Sequence, residues 1–332
     1  MNKELTLSIL IPTYNRVRFL ETTVNTFISQ ITRGHFENEV EIVIGNDASP
    51  DTTNDYLRNL TAQYPYIKSY TNPQNLGVSG NIEKLVHSAS AKTIWLFGED
   101  DLIIEHALGI VMQTITTKNP NVIILNTVNM LSSDDRNLQY KIIGKKRLAL
   151  DDDIYFDDYE KNKEELFAIE GWLYLTNLIS PVVFKKHFFV SYMEEAKKYL
   201  RPENVYLWQA PVIIGMVKEG RIMMHADVLT LHRKNENHWS KNIQGKLTVS
   251  MYDGSEISRM IKNYMPLEFK RYHQRFASHT FGIILQGLRN KLQVKKYAWD
   301  ALRMFYNCFP YTVGFLAVLV IPRSLANVWR KK

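Results

Sequence analysis

The sequence TIWLFGEDD, residues 93–101, decides the fold class of this 332-residue chain. The run from Thr93 to Phe97 is rich in β-branched and aromatic residues and lacks polar alternation. Such a run is typical of a strand that is covered on both faces of a parallel sheet. Three carboxylates, Glu99, Asp100 and Asp101, follow it after Gly98. Because parallel sheets bind ligands at the carboxyl ends of their strands, the stretch predicts a binding site at this strand end.

Two interpretations of the acids are open at this point. Gly98 lets the backbone turn sharply, so Asp100 and Asp101 could stand at the rim of the sheet, where a divalent cation would neutralise both. Alternatively, the acidic turn caps a helix that starts near Ile104, because Asp is favoured at the position that precedes a helix. The stretch alone gives the two interpretations equal support.

Strands and helices alternate around this stretch. Strands are predicted at Leu5–Ile11, Glu41–Ile44, Ile67–Tyr70 and Val122–Leu125. Apolar residues between them recur at helical spacing, for example Leu20, Val24, Phe27 and Ile28 after the first strand. The alternation predicts a doubly wound α/β sheet. The polar residues at the strand ends are expected to share one crevice: Thr13, Tyr14, Asp47, Asp100 and Asp101.

The composition is that of a globular protein, with 45% hydrophobic and 23% charged residues. The single cysteine, Cys308, cannot form an internal disulfide. The N-terminal residues lack the basic segment, the long apolar stretch and the cleavage site of a signal peptide. A reducing cytoplasm is therefore the expected location.

The basic residues are concentrated at the end of the chain. The net charge is +7, but residues 241–332 hold 16 Lys and Arg against 4 Asp and Glu, which leaves −5 for residues 1–240. The same segment is rich in aromatic and aliphatic residues, and its apolar run Val313–Ile321 is too short to span a bilayer. This mixture suits the headgroups of an anionic membrane better than a nucleic acid. The alternative is an ordinary core helix with a solvated basic face.

Several common sites are excluded by their missing motifs. The first strand is not followed by GxGxxG or GxxxxGK[ST], no His/Cys cluster has zinc spacing, and no GxSxG is present. What is left is a sheet with acidic strand ends. Such hard oxygen ligands favour Mg²⁺ or Mn²⁺, which in turn favours a phosphate-bearing substrate.

Four motifs together carry a resemblance to a known family. They are SILIPTYNR at Ser8–Arg16, IVIGNDASPD at Ile42–Asp51, Asn75-Leu76-Gly77, and FGEDD. In this order they resemble the inverting glycosyltransferases of family 2, which have the GT-A fold. The resemblance implies a glycosyltransferase domain at residues 1–240, with a nucleotide-sugar half (1–125) and an acceptor half (126–240). A helical, basic, membrane-associating extension at 241–332 would follow it.

The resemblance also implies roles for individual residues. Contacts with the donor nucleotide sugar fall to Pro12, Thr13, Tyr14, Asp47, Asn81, Asp100, Arg233 and His238. Asp100 and Asp101 correspond to the acids that hold the ribose and the metal, Mg²⁺ or Mn²⁺. Gly98 stands where many members have an additional Asp, which is a departure from the pattern. For Arg233 and His238 the alternative is a solvated basic loop.

The catalytic base is implied in the stretch Pro202–Trp208 (PENVYLW). Asn204 replaces the acid that most often serves as the base in this family. Because Asn cannot accept a proton at neutral pH, the role passes to Glu203 or to another group. The alternative for Glu203 is a helix N-terminal acid that complements the helix dipole.

These observations predict an inverting hexosyl- or deoxyhexosyltransferase on the cytoplasmic face of the plasma membrane. It would move a sugar from a nucleotide sugar to a polyprenyl diphosphate-linked oligosaccharide in O-antigen or capsule synthesis. The overall pattern, including Asn81, is similar to that of abequosyl-type O-antigen transferases. One alternative is a noncatalytic nucleotide-sugar or glycan-binding member, which the departures at Gly98 and Asn204 support. Another is a nucleotidyltransferase, whose Gly-rich basic loop the stretch Pro12–Arg16 does not resemble.

Overall fold

A computed structural model describes residues 4–132, 140–171, 178–234, 248–289 and 294–320. The chain forms two compact units. The first comprises Met1–Lys197 and Leu207–Asn235, and the second comprises Lys198–Tyr206 and Glu236–Lys332. The boundary predicted at residue 240 lies outside the described residues.

The first unit begins with strands and helices in strict alternation. They are β1 (Leu7–Thr13), α1 (Val17–Gly34), β2 (Val40–Asn46), α2 (Thr53–Gln63), β3 (Ile67–Thr71), α3 (Gly77–Ser88) and β4 (Thr93–Leu96). The predicted strands and helices of this half are confirmed. The strands β1, β2 and β4 are continuous buried runs, and the helices have apolar residues at helical spacing. The helix α1, for instance, buries Leu20, Val24 and Phe27 along one face.

The rest of the first unit is less regular. It contains β5 (Leu102–Ile103), α4 (Ala107–Lys118), β6 (Val122–Ser132), β7 (Tyr140–Ile143), β8 (Ile154–Phe156), α5 (Tyr159–Ala168), β9 (Val182–Lys185), α6 (Lys186–Ala196), α7 (Gln209–Glu219) and β10 (Ile222–Arg233). The helix predicted from Ile104 begins at Ala107, since β5 comes first and pairs with β10. The prediction that Asp100 or Asp101 caps this helix is therefore wrong.

One sheet runs through the first unit in the order β3-β2-β1-β4-β9-β6-β10-β5, with β7 on β6 and β8 on β10. The strands β1 to β4 are parallel to one another. The strand β9 is antiparallel to both of its neighbours, β4 and β6, so the sheet is mixed. The parallel quartet brings the carboxyl ends of β1, β2 and β4 to one edge, as the sequence predicted.

The strand before the acids is anchored in the core. Trp95 and Phe97 are fully buried, and the ring of Phe27 from α1 packs edge-on against both, at centroid distances of 5.4 and 4.8 Å. The Trp95 indole N–H donates to the carbonyl of Ser180, at 2.7 Å. These contacts fix the position at which the chain leaves the sheet and enters the acidic turn.

The described residues of the second unit from Thr248 onward are mainly helical. The unit contains a π-helical turn (Thr248–Asp253) and the helices α8 (Gly254–Tyr264), α9 (Pro266–Arg289), α10 (Lys295–Met304) and α11 (Tyr311–Val320). Its own core includes Ile257, Met260, Phe276, Phe305 and Phe315. Within the described residues, no helix has the length and apolar character needed to cross a membrane.

Candidate active site

Hydrogen bonds join the loops at the carboxyl ends of β1, β2 and β4. The backbone N–H of Tyr14 donates to Glu99 Oε2 at 3.1 Å, and that of Asp47 donates to the Thr13 carbonyl at 2.9 Å. Pro12 and Thr13 lie within β1 itself, opposite Gly45 and Asn46 of β2. The Tyr14 side chain is 45% exposed at this edge. The three strand ends thus form one site.

An arginine lies between two of the acids of FGEDD. The Arg16 guanidinium Nη1 is 2.7 Å from Asp100 Oδ2 and 3.6 Å from Glu99 Oε1. Burial raises the pKa of Glu99 to about 8, and burial together with the neighbouring charge of Asp101 raises the pKa of Asp100. Burial and the two carboxylates act in opposite directions on Arg16, and the carboxylates prevail, so its pKa is raised. The negative charge of the acids in this crevice is therefore partly neutralised by Arg16, a residue of the same site.

Asp101 is not at the rim, where the sequence placed it. It is only 4% exposed, and both of its oxygens have protein partners. Oδ2 accepts the Ser180 hydroxyl at 2.5 Å, while Oδ1 accepts the Arg233 backbone N–H at 3.0 Å and lies 3.0 Å from His232 Nδ1. Burial opposes ionisation, but these partners hold the pKa of Asp101 below its usual value. Asp101 therefore links the acidic turn to Ser180, which precedes β9, and to the end of β10.

Arg233, at the end of β10, is part of the same site. Its side-chain Nε donates to the Asp100 carbonyl at 2.9 Å. Its guanidinium and that of Arg16 both lie over the ring of Phe19, at 5.2 and 5.1 Å from the centroid. His238, which was predicted to contact the donor together with Arg233, lies outside the described residues.

The two carboxylate oxygens of Asp47 differ in their contacts. Its Oδ1 accepts from the Asn72 side chain at 2.9 Å and from the Leu76 backbone at 2.8 Å. Among the described residues, no partner contacts its Oδ2. Asn81, predicted to bind the donor, is buried and uses both ends of its amide on Gly45 and Asn72, at 2.8 and 3.2 Å. Asn81 thus supports Asp47 through Asn72.

Gly98 has a packing reason. A Cβ built on it would lie 3.3 Å from both Asp101 Oδ2 and Ser180 Oγ, and its own N–H donates to Ser180 Oγ at 2.9 Å. A carboxylate at this position would meet the buried carboxylate of Asp101. The lack of a side chain at Gly98 therefore leaves room for the buried Asp101 carboxylate and its hydrogen bond with Ser180.

The segment with the predicted base belongs to the second unit. Glu203 is exposed, and no described residue bonds to its carboxylate. Asn204 is fully buried, and its amide donates to Glu256 Oε2 at 2.8 Å and to the Asp253 carbonyl at 3.3 Å. An Asp at position 204 would face these oxygens with a second negative charge. The local charge therefore explains why the chain has Asn at this position.

The acids fit a divalent cation only in part. The described residues contain no group of three or more His, Cys, Asp or Glu that could hold a metal. The oxygens of Asp101 are occupied by protein donors. Asp100 fits better, because its Oδ1 has no partner among the described residues and its Oδ2 already holds a cationic group. Glu99 lies beside the same nitrogen. Hard carboxylate oxygens of this kind suit Mg²⁺ or Mn²⁺.

Sequence reasoning gave no individual role to four residues of the site: Arg16, Glu99, Ser180 and His232. Arg16 and Glu99 lie inside the quoted motifs, where their charge next to Tyr14 and Asp100 was the available signal. Ser180 and His232 are far from FGEDD in the chain. The pairing of β4 with β9 and of β5 with β10 brings them to Asp101.

The fold and this arrangement of strand ends have known counterparts. The structure of S. aureus TarS residues 1–349 aligns with 98% of this chain and 86% of that one, with a TM-score of 0.60 and 15% identity. The mannosyltransferase PcManGT of Pyrobaculum calidifontis, solved with GDP-Man and Mn²⁺, aligns with 99% and 89%, with a TM-score of 0.55 and 10% identity. These similarities show that the chain has the GT-A fold.

The sequence comparison gives the family. The model described as Glycosyl transferase family 2 matches residues 8–171, so this part of the chain is a domain of that family. A GalNAc(5)-diNAcBac-PP-undecaprenol beta-1,3-glucosyltransferase of Campylobacter jejuni is 26% identical over 79% of this chain and 85% of its own length. Abequosyltransferase RfbV of Salmonella typhimurium is 33% identical over 31% of each chain. The resemblance read from the motifs is therefore confirmed.

Proposed function

We propose that this glycosyltransferase binds a nucleotide sugar at the ends of β1, β2 and β4 and transfers the sugar, with inversion, to a lipid-linked oligosaccharide. The meeting of Tyr14, Asp47 and Asp100 at one edge of the sheet carries the proposal. The name of the Campylobacter relative contains a PP-undecaprenol group and so supports a lipid-linked acceptor, and the name of the Salmonella relative supports transfer of a sugar. We further propose that the product is a surface polysaccharide. The departures that favoured a noncatalytic member, Gly98 and Asn204, have local packing reasons.

Each residue of the proposed site has a role that its chemistry suits. The exposed ring of Tyr14 offers a stacking surface for the nucleobase, and Asp47 Oδ2 offers an acceptor for a base N–H. Asp100, with Glu99 beside it, would hold a divalent cation. When bound, the cation would offset the charge that develops on the departing nucleoside diphosphate. Glu203 is the proposed base for the acceptor hydroxyl, and a single displacement gives inversion.

Asp47→Asn tests nucleotide recognition with little change in shape. The new amide retains an oxygen for Asn72 and Leu76 but places an N–H where a base N–H would donate. We expect nucleoside diphosphate affinity to fall by roughly 10- to 100-fold, the range of one hydrogen bond to a charged group. Turnover at saturating donor should change less, because a base contact is made equally in the ground and transition states.

Isothermal titration of UDP, TDP, GDP and CDP, each with and without Mn²⁺, measures this effect and identifies the base. Asp55→Asn, an exposed acid in α2, is the matched control. If no nucleoside diphosphate binds the parent protein, the proposed donor site is wrong. If Asp47→Asn binds as well as the parent, Asp47 is not the nucleobase partner.

The second unit has features that suit an anionic membrane. Its exposed apolar side chains include Trp299, Tyr306, Phe309, Val313 and Leu316, with Phe309 at 74% and Tyr306 at 71%. Arg303 lies over the Trp299 ring at 5.2 Å. Large exposed aromatics beside basic groups favour the headgroup region. We propose that the enzyme binds the inner face of the plasma membrane, and these side chains support binding to an anionic lipid surface.

Point variants test membrane binding better than truncation of residues 305–332 would. Phe305, Phe315 and Val318 are buried in the second unit, so removing them would also damage its core. The double variant Tyr306→Ser, Phe309→Ser leaves that core intact. We expect it to lower binding to phosphatidylglycerol vesicles by roughly tenfold or more, because each buried aromatic contributes about 1.5–3 kcal/mol when fully inserted.

Vesicle co-sedimentation measures the effect. The control Ile142→Ser, Val190→Ser changes two exposed apolar residues of the first unit and should bind as the parent does. Raising salt should weaken binding of the parent only partly, because apolar insertion is not screened. Equal sedimentation of the aromatic variant and the parent would show that these aromatics do not contact lipid.

A further inference from the structure

Arg16 fills the position between Glu99 and Asp100 that a metal ion would need. Its guanidinium nitrogen Nη1 lies 2.7 Å from Asp100 Oδ2 and 3.6 Å from Glu99 Oε1. A guanidinium is always charged, so Asp100 already has a cation beside it in the ligand-free protein. A divalent cation could approach Asp100 Oδ2 only after this nitrogen moves.

The loop that carries Arg16 does not depend on this ion pair for its shape. The backbone N–H groups of residues 14, 15 and 17 donate to Glu99, Ser49 and Asp51, at 3.1, 2.8 and 3.2 Å. The Arg16 side chain itself is 22% exposed. Among the described residues, the guanidinium contacts Glu99, Asp100 and the ring of Phe19. The guanidinium can therefore swing away while the backbone stays in place.

We propose that Arg16 is a latch that makes divalent-cation binding conditional on the nucleoside diphosphate. This inference rests on the proposed donor site. A cation that arrives alone must break the Arg16–Asp100 ion pair and leave the guanidinium unpaired beside a new positive charge. A diphosphate that binds with the cation gives the released, planar guanidinium an anionic partner that can accept two parallel hydrogen bonds. The two ligands therefore bind with positive coupling.

The position of Arg233 strengthens the coupling. Its guanidinium lies over the ring of Phe19, as that of Arg16 does, and its Nε donates to the Asp100 carbonyl. Two cationic side chains thus lie close to Asp100. Without a diphosphate, a divalent cation at Asp100 would be repelled by both of them, because unit charges a few ångströms apart interact strongly in a partly buried site.

The test is the affinity of the full chain for Mn²⁺ alone, with no nucleotide, measured by electron paramagnetic resonance of the free ion. Arg16→Gln removes the internal cation and retains a side chain of similar length. We expect it to bind Mn²⁺ about 10- to 100-fold more tightly than the parent, which corresponds to the loss of one charge-assisted hydrogen bond. UDP or GDP should then raise the Mn²⁺ affinity of the variant much less than that of the parent.

Two further variants make the result specific. Arg16→Lys keeps a cation and should bind Mn²⁺ alone as weakly as the parent, or nearly so. Arg33→Gln removes an exposed arginine from the other end of α1 and is the matched control, with no expected effect. Thermal unfolding of each variant establishes that it is folded.

The inference is overturned if Arg16→Gln binds Mn²⁺ no more tightly than the parent, or if the nucleotide raises both Mn²⁺ affinities equally. These failures differ from failure of the donor site. In that case the parent would bind no nucleoside diphosphate at all, with or without Mn²⁺. A parent that binds both ligands independently would retain the proposed function and refute the latch.

Discussion

Asp101→Ala is expected to destabilise the first unit by about 3–5 kcal/mol, the cost of removing one partner from a buried charged network. The change leaves the Ser180 hydroxyl, the Arg233 backbone N–H and the His232 ring without the carboxylate that they contact. Chemical denaturation measures the loss. The strand-end position of Asp101, taken alone, predicts the opposite result, an intact fold with lost metal binding.

Asp100→Ala is the contrasting variant. Asp100 has a partly buried ion pair with Arg16, and its Oδ1 has no partner among the described residues, so its loss should affect Mn²⁺ and nucleotide binding far more than stability. Asp55→Ala, on the surface of α2, controls for the general effect of an Asp-to-Ala change. If Asp101→Ala unfolds at the same denaturant concentration as Asp55→Ala, the structural role of Asp101 is refuted.

The stability effect should depend on pH in a defined direction. The lowered pKa of Asp101 means that its contribution is present above the unfolded pKa and lost as the pH falls through the folded value. Burial opposes protonation of His232, but the Asp101 charge prevails and raises its pKa. That contribution is present below the unfolded pKa and lost as the pH rises through the folded value. The difference between Asp101→Ala and the parent should therefore be largest from about pH 4 to about pH 6.5.

Glu203→Gln is expected to lower turnover by roughly 10²- to 10⁴-fold, the contribution of general base catalysis, with donor affinity preserved. Gln keeps the size and hydrogen bonding of the side chain but cannot accept the proton of the acceptor hydroxyl. Because Glu203 is exposed and has no described partner, the change should not destabilise the second unit. Transfer assays with a purified lipid-linked acceptor measure turnover, and calorimetry measures donor affinity.

The matched control is Glu160→Gln, an exposed glutamate in α5. Asn204→Asp is the informative companion, since it restores the acid of the family pattern but faces Glu256 and the Asp253 carbonyl. We expect it to lower stability and not to rescue Glu203→Gln. A Glu203→Gln enzyme within a few-fold of the parent would move the base to another acid or to His238.

Local patterns predicted the half of the fold in which each strand is followed by a helix. The helix α1 was predictable from the spacing of Leu20, Val24 and Phe27, and the strand β4 from the apolar run that begins at Thr93. Burial of these residues needs only the helices and strands next to them in the chain. The antiparallel strand β9 was not predictable in the same way. A strand that is covered on both faces has the same apolar sequence in either direction.

The site was predictable to the extent that strand ends are. Tyr14, Asp47 and Asp100 come together because β1, β2 and β4 are parallel neighbours. The burial of Asp101 was not visible, because its partners Ser180 and His232 arrive through strand pairings that are distant in the chain. The role of Asn204 depends in the same way on Asp253 and Glu256, about fifty residues later in the chain.

The chain passes from one unit to the other three times, since Lys198–Tyr206 belongs to the second unit while the residues on both sides belong to the first. Arg201 binds Asp253 and Glu256 at 2.7 and 2.6 Å, so the short segment is held by residues of the tail. A recombinant fragment that stops near residue 240 would strand this segment without its partners. Transfer of this segment between relatives therefore requires Lys198–Tyr206 and the later part of the second unit to be moved together, as one discontinuous unit.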